Sequence, residues 1–486
     1  MPTGRDELRN YVGGAWRACS GSATADVWNP ATGDVVAWVR ASNADDVAAA
    51  IRSASEAARV WRRVPPNDRA QYLFRLKALL EPRVEDLARS ITEEHGKVLA
   101  EARGEVRRAI DNVDMACGTP ALLQGRFAED IAHGVDEAMI RQPVGVCVGI
   151  VPFNFPLMIP CWFLPYAIAC GNPFVLKASE RTPRTAGLLF EILHELGLPP
   201  GVVGLVHGDA ATAELLIDHP DVRAVSFVGS TPAARAVYAR AAAGGKRAQA
   251  QGGAKNSLVV LPDAPSLPVA KIAAESAFGN AGQRCLAGGS AIVVGAASDG
   301  FVDAIAALAA SRKLGNGVDD GVDLGPVITE ASRARVEGLI GVGADEGARL
   351  VVDGRKAVVD GGHGGFFVGA TVLDGVAPAS TLATTEVFGP VLGITRARDL
   401  DEAIRLVNGG SFGNMACLFT SSGQAARRFR YEAQVGNVGI NVGVAQPMAS
   451  FPFSGWGDSF FGDLHAHGHH AIEFFTQTKV VVERWP

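Results

Sequence analysis

Apolar and polar positions follow two rhythms along the chain. After an entry segment, apolar residues from about 44 to 117 recur at helical spacing. The Ala-rich stretch 44–61 begins with Asp45 and Asp46, where the positive end of a helix dipole favours carboxylates. The stretches 67–80, 84–95 and 101–117 read as further amphipathic helices, and Gly96 is a natural stop for the second of them. From residue 144 the rhythm changes to short, continuous apolar runs at 146–151, 173–177, 202–206 and 224–228. Helical stretches separate these runs at 182–196 and 211–217. Thr182 is expected to cap the first of these two helices, with Pro183 in its first turn and Gly197 closing it. Strand and helix alternating over short links predicts parallel sheets covered on both faces, with ligands at the carboxyl ends of the strands.

The second half repeats the style. Strands are expected at 257–261 and 290–294, and helices at 269–278, 301–310, 332–346 and 400–408. The segments 382–388 and 391–392 read as strands about a Gly389-Pro390 turn, and 471–475 and 479–482 return to strand composition. The polar stretch 124–141 reads as a hairpin or extended arm. It is a candidate partner for the last strand, in the same chain or in another subunit. The apolar stretch 144–176 invites a membrane reading, but Pro152, Pro156, Pro160 and Pro165 interrupt it and Asn154 lies inside. A buried strand, a turn and a core helix fit better, because a lipid-exposed helix would have to re-satisfy each freed backbone group.

Composition narrows the classes. The 486 residues exceed one ordinary core, 48% are hydrophobic and 20% charged, and the net charge is -6 with no long basic run. That describes a globular chain of two or more domains without a nucleic-acid surface. The seven cysteines are scattered, with neither CxxC nor Cys/His ligand spacing. They read as reduced thiols of a cytoplasmic compartment, with no metal site. The residues 1–7 have no apolar core and predict no secretory leader. His465, His467, His469 and His470 lack carboxylate or Cys company and read as a surface loop. Arg103, Arg107 and Arg108 give helix 101–117 a charged face, solvated unless the fold turns one inward.

The strongest candidate for chemistry is Cys285 in Gly282-Gln283-Arg284-Cys285, at a glycine-rich turn between a helix and a strand. A thiolate is the effective nucleophile, and a fixed cation such as Arg284 beside it favours the anion. Alone, a Cys beside an Arg is more often a small buried apolar residue. No GxGxxG follows a strand. The best phosphate cradle is Phe227-Val228-Gly229-Ser230-Thr231-Pro232, where a strand meets a helix N-terminus.

Pro152-Phe153-Asn154-Phe155-Pro156, Lys177-Ala178-Ser179-Glu180, Gly252-Gly253-Ala254-Lys255-Asn256 and Glu386-Val387-Phe388-Gly389-Pro390 complete the set. In this order and spacing the chain resembles the NAD(P)-dependent aldehyde dehydrogenase superfamily over almost its whole length. It looks most like the CoA-acylating methylmalonate-semialdehyde dehydrogenases. The resemblance implies an α/β fold with a Rossmann-type NAD-binding domain (1–122 and 142–253), an α/β catalytic domain (254–455) and a small β oligomerisation arm (123–141 and 470–486). It also implies a homodimer or homotetramer. Cys285 would be the nucleophile, with the Asn154 side chain and the Cys285 backbone N–H as the oxyanion hole. Lys177 and Glu180 would meet the adenosine ribose. Gly229 and Ser230 would meet the cofactor phosphates. Glu386 would meet the nicotinamide ribose, with Phe153 and Phe388 beside it. Arg108 and Arg284 would bind the carboxylate of malonate or methylmalonate semialdehyde, and coenzyme A would be the co-substrate. NAD rather than NADP rests on the resemblance alone.

Position 251 departs from the hydrolytic members, which carry a Glu there. Gln251 cannot take a proton from water. An acyl-enzyme without that base suits a thiol acceptor. Close relatives are expected to have Asn at 251 and His at 257, where this chain has Gln and Ser, and the run 286–290 is richer in Gly than expected. Two alternatives stay open. One is a hydrolytic NAD(P)-dependent enzyme for another short acidic semialdehyde. The other is a catalytically silent protein on the same scaffold.

Overall fold

Among the described residues, two large open sheets of eight and seven strands stand in sequence, joined by a four-residue link. The computed structural model describes residues 6–359 and 364–485. Parts of the expected domain ranges, namely residues 1–5, 360–363 and Pro486, lie outside the described residues.

The first sheet is built on five parallel strands in the order Arg247–Gln251, Val222–Val228, Val146–Ile150, Phe174–Lys177 and Val203–Val206. Asn10–Val12 and Ala15–Arg17 extend one edge antiparallel, and Phe460–Gly462 extends the other. The earliest parallel strand, Val146–Ile150, lies between the second and the fourth. Chain connections therefore leave it in opposite directions, and a crevice opens beyond its carboxyl end. The continuous apolar run that made Val146–Ile150 read as a buried strand has a direct cause. Val146, Val148 and Ile150 enter the core on one face, while Cys147 enters the larger core on the other.

The second sheet runs Arg349–Val352, Thr371–Asp374, Val391–Ala397, Gly288–Val294, Asn256–Val260, Met415–Phe419 and Asn437–Ile440, all parallel except the first. Gln251 ends a strand of one sheet and Asn256 begins a strand of the other. The link 252–255 thus sets the carboxyl edge of the first sheet against the amino edge of the second. The large apolar core continues between them: Leu176 and Leu258 belong to one cluster.

A three-stranded arm, Thr476–Glu483, Val135–Pro143 and Arg126–Ala132, projects from this body. The last strand pairs with Val135–Pro143 of the same chain, Thr476 opposite Pro143. Helix Met158–Ala169 is buried along its whole length, and among the described residues no helix is long and apolar enough to cross a membrane.

Four expectations need correction. The segment 382–388 is no strand. Ser380 caps a short helix, Thr381–Thr384, and Phe388 at φ +50° turns the chain before Pro390, so no ladder can form. The stretch 471–475 is helical for most of its length (Gly468–Phe474). Ala471, Ile472 and Phe474 all reach the core, a spacing only a helix provides. Thr182 makes no side-chain cap on its helix; its hydroxyl donates to Phe153 O at 3.3 Å. The histidine run is not a surface loop. His467 is buried against Trp162 and Phe453, and His465 stacks on Phe460.

Candidate active site

Where the two sheet edges meet, a cavity of about 590 Å³ opens. Phe153 and Asn154 line it from the loop after Val146–Ile150. Gly229 and Ser230 line it from the loop after Val222–Val228. Gly253 lines it from the link, Cys285 from the glycine-rich turn, and Glu386 and Phe388 from the turn before Val391–Ala397. These residues, scattered over more than 230 positions, thus share one space of the size small-molecule sites use.

The turn that presents Cys285 is held in an unusual backbone. Asn280 and Ala281 adopt φ of 57° and 50°, and Gly282 adopts 66°. Only glycine fits at 282, since a Cβ there would lie 2.0 Å from Gly389 O. Side-chain amides then pin the Cys285 turn. Asn256 and Asn414 both donate to Cys285 O, at 2.8 and 2.7 Å, while Asn154 and Asn280 donate to Gln283 O at 3.0 and 2.9 Å. Cys285 is half-buried. Burial pushes its thiol up to about 12, Arg284 pulling the other way and Glu386 adding to the rise.

Glu386 is held by a hydrogen bond from Ala254 N (2.9 Å) to its Oε1. Burial raises it to about 7, against the opposing effects of that N–H, Arg335 and Lys255. Gly253 leaves room for it, since a Cβ would lie 2.5 Å from its Oε2. Phe388 meets Phe153 edge-on at 5.9 Å, and Phe153 stacks on buried His95. Across the cavity, Ser230 precedes helix Thr231–Ala243 without capping it through its side chain, so its exposed hydroxyl stays available. A Cβ at Gly229 would lie 2.5 Å from the Phe227 ring. Lys177 and Glu180 do not line this cavity. They form a 3.2 Å ion pair one strand away, at the carboxyl end of Phe174–Lys177.

The comparisons with known proteins agree with this geometry. The Aldehyde dehydrogenase family matches residues 16–481. The chain belongs to the aldehyde dehydrogenase family. It is 48% identical over 487 residues to malonate-semialdehyde dehydrogenase 2 of Geobacillus kaustophilus, with 100% of each chain covered. It is 43% identical to a malonate-semialdehyde dehydrogenase of Pseudomonas aeruginosa, covering 99% of this chain and 96% of the other. A crystal structure of methylmalonate-semialdehyde dehydrogenase from Oceanimonas doudoroffii superposes with a TM-score of 0.97 at 43% identity, 99% of each chain covered. Another from Sinorhizobium meliloti 1021, assigned the same activity and complexed with NAD, gives 0.98 at 40% identity over 100% of this chain and 99% of that one. This aldehyde dehydrogenase is accordingly an oxidoreductase.

Arg108 and Arg284 do not line the Cys285 cavity of this aldehyde dehydrogenase. Arg284 folds back over Gly279 toward Glu101, 3.7 Å away. Arg108 is half-exposed, 3.6 Å from Asp111 and 3.0 Å from Met448 Sδ. Its neighbours Arg103 and Arg107 pair with Glu85 and Glu81 at the surface.

Sequence reasoning missed the buried Lys97–Glu105 pair. Lys97 Nζ donates to Glu105 Oε2 and to Asn154 O, both at 2.7 Å. Glu105 Oε1 accepts from Leu157 N and Met158 N. The pair therefore sets the loop that carries Asn154. A signal was present: Glu105 interrupts the apolar stripe Ala102, Val106, Ala109, Val113 of helix Leu99–Cys117. Arg335 was also missed; it donates to Glu386 O at 3.2 Å and to Val387 O, steadying that turn.

Proposed function

We propose that the enzyme catalyses the NAD-dependent, coenzyme A-acylating oxidation of malonate or methylmalonate semialdehyde, with loss of CO2 to give acetyl-CoA or propionyl-CoA. The observation that carries this reading is Gln251. Its amide N–H donates to Phe453 O at 3.1 Å, its side chain is buried, and it does not line the Cys285 cavity. Water, with a pKa of about 15.7, needs a general base to attack a thioester at neutral pH. A thiol, at about 8.5, needs far less help. The names of the relatives support the choice of aldehyde.

The residues fit a dinucleotide. Gly229 and the free N–H groups of helix Thr231–Ala243 suit its phosphates, Lys177 and Glu180 its adenosine ribose, and Glu386 its second ribose. When bound, NAD supplies the hydride acceptor. The protein's own groups do the rest. Glu386, poised near 7, accepts the Cys285 proton as Sγ adds to the aldehyde carbon. The Asn154 side chain and the Cys285 N–H hold the oxyanion of the resulting hemithioacetal. Arg284 exchanges Glu101 for the substrate carboxylate, and with Arg108 it holds that group in the fork geometry a guanidinium provides. Loss of hydride leaves a Cys285 thioester whose β-carboxylate departs as CO2, the thioester carbonyl stabilising the enolate until it takes a proton. The thiol of coenzyme A then displaces Cys285. The exposed apolar side chains of the arm, Phe127, Ile131, Val480 and Val482, are the surface through which subunits would join in a dimer or tetramer.

The test is NADH formation from malonate semialdehyde and NAD, with and without coenzyme A, with the product identified by mass. The reading expects a single burst without coenzyme A and turnover to acetyl-CoA with it. The second reading is hydrolysis with Glu386 as base, favoured by its place in the cavity and its raised pKa. It expects steady, coenzyme A-independent turnover to a free acid.

A further inference from the structure

A second cavity, of about 420 Å³, lies at the amino edge of the second sheet, and Phe412 lines both it and the Cys285 cavity. Its walls carry two cations, Lys255 and Arg405, and the hydroxyls of Ser257, Ser290 and Ser411, with no carboxylate among the described lining residues. Ser257 and Ser290 face each other in parallel register. These small side chains fall where the sequence departs from its expected pattern, and they leave the pocket open.

Neither cation forms a hydrogen bond or close ion pair with a described residue, although Lys255 feels the charge of Glu386 and Arg405 that of Glu402. Cations without a close partner, beside hydroxyls and with no carboxylate in the lining, suit a phosphorylated anion, and the volume exceeds what a single phosphate needs. Lys255 adjoins Asn256, whose amide holds Cys285 O, so a ligand anchored there lies beside the nucleophile's turn.

We propose that this pocket binds the phosphate-bearing end of the thiol co-substrate, which rests on the acylating reading above. The obvious rival site for those phosphates is the cavity proposed for NAD. Binding at Lys255 and Arg405 would instead leave NAD and the thiol compatible.

The test is calorimetric titration of the full-length protein with desulfo-coenzyme A, which lacks the reactive thiol. The expected result is binding whose affinity saturating NAD leaves unchanged, weakened about tenfold or more in each of Arg405→Ala and Ser411→Asp. Displacement by NAD, unchanged affinity in both variants, absence of binding, or equal affinity for inorganic pyrophosphate would each overturn the assignment. The acylating reading is judged separately, by the coenzyme A dependence of turnover. Coenzyme A-dependent turnover with NAD-displaceable binding removes the pocket and keeps the reaction.

Discussion

The side-chain amide of Asn154 donates to the carbonyl of Gln283 at 3.0 Å. One hydrogen bond thereby ties the loop after Val146–Ile150 to the turn that presents Cys285. An amide nitrogen has two protons. With one fixed on Gln283 O, the other has a set direction, which is the preorganisation an oxyanion donor needs. Asn154→Ala is expected to lower kcat by about 10²–10³-fold with a smaller change in KM. The check is steady-state kinetics beside a thiol titration showing Cys285 still accessible. An unchanged kcat would remove Asn154 from the reaction.

The Lys97–Glu105 pair is expected to govern both stability and rate. Both side chains are fully buried, so removing one partner strands a charge. Lys97→Met should cost about 3–5 kcal/mol in urea unfolding. Lys97→Met combined with Glu105→Gln should recover part of it, since the amide keeps an acceptor for Leu157 N and Met158 N. Because Lys97 also holds Asn154 O, the surviving activity of Lys97→Met should show a lowered kcat rather than a raised KM. Equal instability of the single and double variants would show that the charge is not what matters.

How much of this was legible beforehand follows from the kinds of signal each residue carries. The strands and most helices were readable because their apolar positions form short continuous runs or keep period 3.6, as in Val146–Ile150 and Leu400–Asn408. The motif residues were readable as a set, and the structure brings Phe153, Asn154, Gly229, Ser230, Cys285, Glu386 and Phe388 to one cavity. The segment 382–388 misled because its apolar residues sit on a helical turn and a positive-φ loop, which composition does not distinguish from a strand. The Lys97–Glu105 pair was hidden because partnering depends on packing between helix Leu99–Cys117 and the loop before it, and charge alone reads as exposure.

Activity should depend on pH through Glu386. The Cys285 thiol, near 12, is almost wholly protonated at neutral pH and needs an acceptor. Glu386 can accept only as a carboxylate, so kcat/KM should fall as pH drops below its value of about 7. Glu386→Gln should flatten that limb and lower kcat/KM by about 10²–10⁴-fold. Stability runs the opposite way. A carboxyl raised in the folded state favours folding at low pH and loses that contribution as pH rises through 7. The variant should therefore show a smaller fall in urea midpoint between about pH 4.5 and 7 than the wild type. A wild-type profile flat across about pH 5.5–8.5 would refute the role.

Restoring a carboxylate at position 251 should not by itself create a hydrolytic enzyme. The Gln251 amide N–H faces Phe453 O, an acceptor, and Gln251 Oε1 is buried without a partner. A carboxylate there would set two acceptors against each other in a dry setting, so the new group should bind a proton to mend the contact. Gln251→Glu is then protonated at neutral pH and idle as a base. It should lose stability as pH rises through its raised pKa, where charging it breaks the contact. The expected outcome is coenzyme A-dependent turnover at pH 7 as in the wild type, with a urea midpoint that falls more steeply than the wild type's at higher pH. Free acid formed at pH 7 without coenzyme A would mean that the side chain swings away from Phe453 into the Cys285 cavity. The amide at 251 would then be the one element that withholds hydrolysis.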